Sequence, residues 1–324
     1  MIRRLSALLI AAACSFALVS PARTVAASDA PATVTIAYQP GISYSTLIVM
    51  KEQGTLEKLF PNTKFEWRVL SNGATIRDGF LAGQIQVGAG GSTPFLIGWD
   101  KGVGYRLVAS MNEMNLWCVV KDPKIKSIKD LTASSKIGVP GPDAIQAIAL
   151  RKGAEDLLKN AHAFDTGFVA TAHPTGLQML AGGQLDAHFT SPPFQQEEVD
   201  AGGHVIYKSY DAFGKATFNS VYTTETFAKE HPLFVEALHK TIVDATKFIN
   251  SKPDETAALL SKDAEGKVPA AQFKKWMAGP EMVFTTTPHG FLKVAQYMKS
   301  IGLLSKTPTS MRDIELPFLA GEGD

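Results

Sequence analysis

FLAGQIQV at residues 80–87 and LAGGQLDA at residues 180–187 repeat one pattern 100 residues apart. In each copy, apolar residues complete a helical face and a glycine follows, which can take the left-handed conformation that ends a helix. A short apolar run comes next, and it stops at small or hydroxyl residues, GGSTP at 90–94 and TSPP at 190–193. We therefore predict that each octapeptide is a helix end leading into a buried strand.

The two predicted strand ends indicate where a ligand would bind. In open parallel sheets, ligands lie just beyond the carboxyl ends of the strands, so two matching ends predict two lobes that face one site. A helix, glycine and strand junction also recurs by chance in α/β proteins, and the octapeptides alone leave that alternative open. The neighbouring segments decide between the two interpretations.

Those segments alternate between strand and helix patterns, which predicts an α/β fold of two lobes, each a mostly parallel sheet flanked by helices. From Thr226 onward the pattern is helical, and we predict a covering layer of helices without further strands. The predicted strands are 34–38, 65–69, 105–109, 136–139, 168–171, 205–207 and 218–224. The predicted helices include 43–51, 145–158 and one that runs to Leu81 after capping residues at 71–75.

A polar, proline-broken stretch at residues 121–131 indicates a solvated crossing between the lobes. We predict that lobe one comprises residues 28–118 and 222–324 and that lobe two comprises residues 119–221. This division implies two crossings, near Trp117–Val120 and Ser220–Thr223.

The first 27 residues have the pattern of a secretory signal peptide. Arg3 and Arg4 precede an apolar stretch that is too short to span a bilayer, and small residues mark the exit. The sequence thus predicts an exported, periplasmic protein. A lipid anchor at Cys14 is an alternative that the apolar residues after it disfavour, and Arg3-Arg4 lacks the flanking residues of a twin-arginine signal.

The charge of the mature chain points to no polyanionic partner. Removing residues 1–27 takes away three of the 32 basic residues and none of the 31 acidic ones, so no strong positive field favours nucleic acid. The mature chain keeps one cysteine, Cys118, in an apolar run. A single thiol forms no internal disulfide and no metal cluster, so we predict a small core residue, and no metal or other cofactor.

The candidate ligand site consists of the loops that open the predicted helices. Ser71 or Asn72 is equally suited to cap a helix, and Asp143 is suited to be the N-cap of helix 145–158. The predicted ligand-binding residues are, in lobe one, Gln39, Ser43, Tyr44, Asn72, Gly73, Ser92 and Thr93, and, in lobe two, Gly141, Asp143, Ala144, Thr190, Ser191 and Phe194.

Four motifs in this order carry a family resemblance: the octapeptide at 80–87, SIKDL at 127–131 before IGV, GQLDA at 183–187 and KEHPL at 229–233. The sequence resembles the periplasmic solute-binding proteins of ABC importers, in the nitrate, sulfonate and taurine group, which also includes binders of thiamine-pyrimidine precursors. The resemblance covers nearly the whole mature chain. It implies a monomer that captures a small molecule and delivers it to a membrane permease without catalysing a reaction.

Two other functions share this fold. Fungal enzymes that make the thiamine pyrimidine resemble it, but their active sites are rich in cysteine, and here no nucleophile with a base stands out. His173, His188 and His204 fall near predicted element ends, where lone histidines are more often structural than functional. A transcription-factor effector domain has a similar shape, but the signal peptide and the lack of a helix-turn-helix pattern argue against it.

The ligand class follows from the resemblance and from the predicted loops. The resemblance favours a sulfonate or taurine-like anion, which the helix amino termini would hold. However, Gln86 and the SPPF stretch at 191–194 depart from the family pattern. The predicted loops also contain no lysine or arginine, and Asp143 repels an anion unless it caps its own helix. Tyr44 and Phe194 would suit a flat heterocycle such as a thiamine-pyrimidine precursor.

Overall fold

The computed structural model describes residues 30–319 and 321–324. The predicted signal peptide and Cys14 lie outside the described residues. In chain order the strands are β1 (Thr33–Tyr38), β2 (Lys64–Val69), β3 (Val87–Gly91), β4 (Tyr105–Ser110), β5 (Asn112–Met114), β6 (Trp117–Val120), β7 (Ile137–Val139), β8 (Phe168–Ala170), β9 (Ala187–Phe189), β10 (His204–Lys208), β11 (Asn219–Thr224) and β12 (Met282–Phe284).

The helices pack on the faces of the sheets, and none of those described has the length and apolarity to cross a bilayer. They are α1 (Ser45–Gln53), α2 (Thr55–Leu59), α3 (Gly73–Leu81), α4 (Ser92–Asp100), α5 (Ile145–Leu158), α6 (His173–Ala181), α7 (Phe194–Asp200), α8 (Ser209–Phe213), α9 (Glu225–Glu230), α10 (Pro232–Ser251), α11 (Pro253–Asp263), α12 (Ala270–Met277) and α13 (Phe291–Ser300).

Two five-stranded sheets have the same internal plan. The first has the order β2-β1-β3-β11-β4 and the second the order β8-β7-β9-β6-β10. In each sheet, the first three strands in this order are parallel to one another. The fourth strand runs antiparallel to both of its neighbours, the third and the fifth. The octapeptides lead into β3 and β9, the middle strands of the two sheets. The predicted α/β class and the parallel core of each lobe are confirmed.

The glycines of the octapeptides end helices α3 and α6 in the same way. Gly83 and Gly183 both have a φ of 69°, in the left-handed region that favours glycine. Their N–H groups, and those of Gln84 and Gln184, donate to carbonyls of the last helical turn at 2.8–3.2 Å. These bonds satisfy the free carbonyls at the helix end and turn the chain toward the sheet. The predicted helix-to-strand junction is thus confirmed in both copies.

The chain passes between the sheets twice. It leaves the first sheet after Ser110, passes through β5 and enters the second sheet at Trp117, and it returns to the first sheet between Lys208 and Asn219. The predicted boundaries, after residues 118 and 221, fall inside β6 and β11. We therefore propose that the two crossings, at 115–116 and 214–218, divide lobe one from lobe two.

The prediction of a tail without strands is wrong at one place. Met282–Phe284 forms β12, which pairs antiparallel with β5. Three residues are too few to show an alternating pattern, and the partner strand lies some 170 residues earlier, so no local signal marks this pair.

Cys118 is fully buried in β6, as predicted.

Candidate functional site

The candidate site is a cleft between the two sheets, at the strand ends and helix starts that the sequence indicated. Loops and helix starts that follow the strands of both sheets contribute to its walls. Eight of the predicted residues line it: Gln39, Tyr44, Asn72, Gly73, Gly141, Asp143, Ala144 and Ser191.

The other five predicted residues lie behind or beside the cleft. Ser92 Oγ donates to the carbonyl of Thr217 at 3.3 Å, and Ser43 is fully buried. The ring of Phe194 stacks on His173, with the centroids 5.8 Å apart, and it also lines a neighbouring apolar cavity of about 310 Å³. Thr93 and Thr190 bond to residues of the cleft wall, as described below.

The lobe-one wall presents hydrogen-bond donors. Tyr44 and Asn219 are buried, and the Tyr44 hydroxyl donates to Asn219 Oδ1 at 3.4 Å. Burial raises the pKa of Tyr44, so it stays a neutral donor. Asn219 Nδ2 has no partner among the described residues. A buried amide N–H without a partner is costly, and Asn219 lines the cleft, so this group is suited to meet an acceptor on a ligand.

Asn72 serves mainly to cap helix α3. Its Oδ1 accepts from the backbone N–H of Thr75 at 2.9 Å and from the Thr75 hydroxyl at 3.1 Å. Gly73 follows it, and a Cβ there would lie 2.7 Å from Pro94 Cβ. The glycine therefore allows the start of α3 to pack on α4, while Asn72 keeps only its amide N–H groups for the cleft.

The lobe-two wall is built around a neutral histidine. His173 Nε2 lies 3.4 Å from Gln146 Nε2, and His173 Nδ1 lies 2.9 Å from Thr190 Oγ1. Burial, with a contribution from the nearby His188, lowers the pKa of His173 well below its usual value. An amide nitrogen only donates, so Nε2 of the neutral ring accepts and Nδ1–H donates to Thr190. This arrangement leaves the amide oxygen of Gln146 as an acceptor at the cleft.

A second histidine lies behind the first. His188 Nδ1 is 2.5 Å from Glu198 Oε1, and both side chains are buried. Burial lowers the pKa of His188 to about 3 and raises the pKa of Glu198 to about 9, so the pair is a hydrogen bond between neutral groups at pH 7. This uncharged pair supports the His173 ring, whose centroid is 5.7 Å from that of His188.

The raised pKa of Glu198 predicts a pH dependence of stability. The folded protein keeps the proton up to about pH 9, whereas the unfolded chain releases it near the usual glutamate pKa of 4.5. The contribution of Glu198 is therefore complete below pH 4.5 and is lost as the pH rises toward 9. Between pH 7 and 9, we expect the free energy of unfolding of the wild type to fall by on the order of 2 kcal/mol more than that of Glu198→Gln.

Urea titrations at pH 7, 8 and 9 measure this difference. His188 stays neutral throughout this range, so it does not contribute to the slope. Glu230→Gln, at an exposed position, is the matched control and is expected to follow the wild type. Equal slopes for Glu198→Gln and the wild type would show that Glu198 is already ionised in the folded protein.

Asp143 makes two contacts with the other lobe across the cleft. Thr93 Oγ1 donates to the Asp143 carbonyl at 2.7 Å, and Arg77 Nη1 donates to Asp143 Oδ2 at 3.1 Å. The prediction that Asp143 caps helix α5 is wrong. The N-cap is Ala144, without a side-chain hydrogen bond, because the carboxylate of Asp143 turns to the arginine on the other lobe.

The electrostatics of the cleft depend on one carboxylate, that of Asp143, whose charge the neighbouring Arg77 partly balances. Among the lining residues that the structure describes, no lysine or arginine is present, and Asp143 is the only acidic side chain. His173 is neutral, and the remaining polar groups are amides and hydroxyls. The cleft therefore favours a ligand that is neutral or carries both charges over a simple anion.

Comparison with known families identifies the chain. The family model described as NMT1-like matches residues 27–262. The chain belongs to the NMT1-like family. Comparison of this NMT1-like sequence with curated proteins gives no match.

Solved structures confirm the fold. The alkanesulfonate-binding protein SsuA from Xanthomonas axonopodis pv. citri, bound to MOPS, has a TM-score of 0.70 at 19% identity over 85% of this chain and 95% of that chain. The nitrate-binding protein NrtA from Synechocystis PCC 6803 has a TM-score of 0.66 at 14% identity over 90% and 86%. A Candida albicans protein with the generic periplasmic binding protein fold has a TM-score of 0.68 at 14% identity over 90% and 96%. The NMT1-like chain thus has the periplasmic binding protein fold, and the predicted resemblance is confirmed.

Three polar lining residues of the NMT1-like cleft were not predicted from the sequence: Gln146, His173 and Asn219. His173 lies near a predicted helix start, and a lone histidine in a sequence gives no sign of what surrounds it. Gln146 reads as one polar position in an amphipathic helix. Asn219 is the amide in an otherwise apolar and hydroxyl-rich strand, and this contrast is the one signal that could have indicated it.

Proposed function

We propose that this NMT1-like protein is the substrate-binding component of an ABC import system. After export to the periplasm it would capture a small molecule as a monomer and deliver it to a membrane permease. The observation that carries this proposal is the cleft between two sheets of matching plan, to which both sheets contribute unoccupied hydrogen-bonding groups. The likeness to sulfonate- and nitrate-binding proteins supports it.

Capture would work by closure of the lobes. A ligand shifts a conformational equilibrium only through contacts that exist in one of the two states, and groups from both walls meet a ligand only when the lobes are closed. Asn219 contributes from lobe one, and Gln146 and Ser191 contribute from lobe two. Thr93 and Arg77 add contacts between the lobes that strengthen the closed state.

The ligand class that we favour is a sulfonate of the taurine type. In lobe two, helices α5 and α6 begin at the cleft without side-chain caps, so free N–H groups of their first turns are available to a sulfonate. The first N–H of α4, that of Ser92, already donates to the Phe218 carbonyl at 3.1 Å. The carboxylate of Asp143 opposes a plain anion such as nitrate, whereas taurine also carries an ammonium group. A zwitterion therefore agrees with both features of the cleft.

A flat heterocycle is the second candidate, and one observation favours it. The neutral His173 ring forms part of the wall and is backed by Phe194 at an interplanar angle of 24°, while Tyr44 lines the opposite wall. Aromatic walls of this kind can stack on an aminopyrimidine.

A thermal-shift screen tests the importer proposal and separates the ligand classes. The probes are taurine, ethanesulfonate, nitrate, benzoate and 4-amino-2-methylpyrimidine. A ligand that binds only the folded protein raises the melting temperature. We expect a shift with taurine, and a shift with the aminopyrimidine alone would favour the second candidate. No shift with any probe at millimolar concentration counts against the proposed function.

The enzyme alternative is tested with the ligand that gives a shift. Purified protein is incubated with it, and the mixture is analysed by mass spectrometry. Recovery of unchanged ligand supports binding alone, whereas a new product would replace the proposal with an enzymatic function.

A further inference from the structure

We infer that Asp143 recognises an amino or ammonium group of the ligand. This inference rests on the proposed function and narrows its ligand class: the ligand carries an N–H donor that meets Asp143 and an acceptor that meets Asn219. An aminosulfonate and an amino heterocycle both carry such a donor and such an acceptor. The experiment below distinguishes these two classes of ligand.

The carboxylate of Asp143 has one oxygen engaged and one available. Oδ2 accepts from Arg77 Nη1 at 3.1 Å, whereas Oδ1 accepts no hydrogen bond from the residues that the structure describes. The free oxygen lies beside Gly141, where a Cβ would be 2.9 Å away. Asp143 lines the cleft, and only 17% of its side chain is exposed. A carboxylate oxygen so placed is stabilised by an N–H donor, and a charged donor stabilises it most.

Arg77 does not remove this preference. It makes a single contact with Asp143 rather than a bidentate pair, and it does not line the cleft. Thr93 holds the carbonyl of Asp143 from the other lobe, so the residue is fixed in position when the lobes are closed. A ligand in the cleft therefore meets the carboxylate and not the guanidinium.

Around Asp143 and Asn219, the side chains of the two walls have opposite hydrogen-bonding character. Lobe two presents the Asp143 carboxylate and the amide oxygen of Gln146, which are acceptors. Lobe one presents Asn219 Nδ2, a donor without a partner among the described residues. A ligand with a donor at one end and an acceptor at the other satisfies both walls. Taurine and an aminopyrimidine both have this arrangement, whereas nitrate and ethanesulfonate lack the donor.

The experiment compares matched ligands by calorimetry on the mature protein. Taurine is paired with ethanesulfonate, and 4-amino-2-methylpyrimidine is paired with 2-methylpyrimidine, so the members of each pair differ in the amino group. We expect the wild type to bind the amino member of one pair at least about tenfold more tightly, since a charge-assisted hydrogen bond accounts for such a ratio. The pair that shows the preference tells whether the ligand is an aminosulfonate or an amino heterocycle.

Asp143→Asn and Arg77→Gln separate recognition from closure. Both variants break the ion pair between the lobes, but only Asp143→Asn removes the carboxylate. We expect Asp143→Asn to weaken the amino member by about tenfold relative to its partner, which abolishes the preference. Arg77→Gln should weaken both members by the same factor and keep the preference.

Equal affinities for both members in the wild type overturn the inference and leave the importer function in place. A preference that persists in Asp143→Asn also overturns it, since the residue would then act only in closure. If no probe binds, both the inference and the proposed function fail.

Discussion

Replacing Asn115 by alanine is expected to lower the free energy of unfolding by about 3 kcal/mol. Asn115 is buried in the first crossing between the sheets, and its side chain joins three parts of the chain. Oδ1 accepts from the backbone N–H of Tyr210 at 3.0 Å and from the Ser209 hydroxyl at 3.4 Å, and Nδ2 donates to Glu281 Oε1 at 3.0 Å. Alanine leaves the Tyr210 N–H without its partner, which is the costly outcome for a buried polar group, and it removes one hydrogen bond each from Ser209 and Glu281.

Urea unfolding followed by circular dichroism measures the loss. Asn160→Ala is the control, because Asn160 is exposed and its amide accepts only a local bond from the His162 N–H at 3.0 Å. Its expected cost is no more than about 1 kcal/mol. If Asn115→Ala cost no more than the control, the crossing would not depend on this residue.

Gly176→Ala is expected to destabilise the protein by about 2 to 3 kcal/mol and to weaken ligand binding. Gly176 lies in α6 against the buried His188 ring, and a Cβ there would be 2.4 Å from Nε2 and 2.5 Å from Cε1. His188 is held by Glu198 on one side and lies close to Gly138 on another, so it has little room to move. In a helix, alanine is more favourable than glycine by up to about 1 kcal/mol of folding free energy. The steric overlap of the new Cβ with the His188 ring costs more than this gain.

Gly279→Ala provides the control for this substitution, since a Cβ there meets no atom within 4 Å. We expect it to change stability by less than about 0.5 kcal/mol and to leave ligand affinity unaltered. If Gly176→Ala also changed the stability by less than about 0.5 kcal/mol, the pocket around His188 would be wider than the structure indicates. Weaker binding is expected because a displaced His188 moves His173, which lines the cleft.

The parts of the fold that follow local rules were predictable. The octapeptides contain a helix end, a glycine and the start of a buried strand within eight residues, so the signal and the structure coincide at Gly83 and Gly183. Helix α5 was predicted with its observed bounds, because fourteen residues show the helical period clearly. The β12 strand was not predictable, since it exists only through its pairing with β5 far away in the sequence.

The lining of the candidate cleft was predictable where a backbone position decides which residues belong to it. Gly73, Gly141 and Ala144 lie at predicted helix starts that face strand ends, and all three line the cleft. Residues whose role depends on a distant partner were not predictable in this way. Asp143 is suited to be a cap by every local rule, yet Arg77, 66 residues away in sequence, takes its carboxylate. Thr190 follows a strand end as predicted, but its hydroxyl is engaged by His173.

Closure of the two lobes on a small ligand is the central claim, and one distance tests it directly. Ser71 and Thr175 are exposed, and they lie at the amino ends of α3 and α6, on opposite sides of the cleft. A double variant, Ser71→Cys with Thr175→Cys, accepts two spin labels, while the native Cys118 is fully buried. Pulsed electron paramagnetic resonance then gives the distribution of distances with and without taurine or 4-amino-2-methylpyrimidine, whichever gives the larger thermal shift. We predict a broad distribution with a longer mean distance without ligand and a single, shorter distance with it. An identical distribution in both samples would contradict the account.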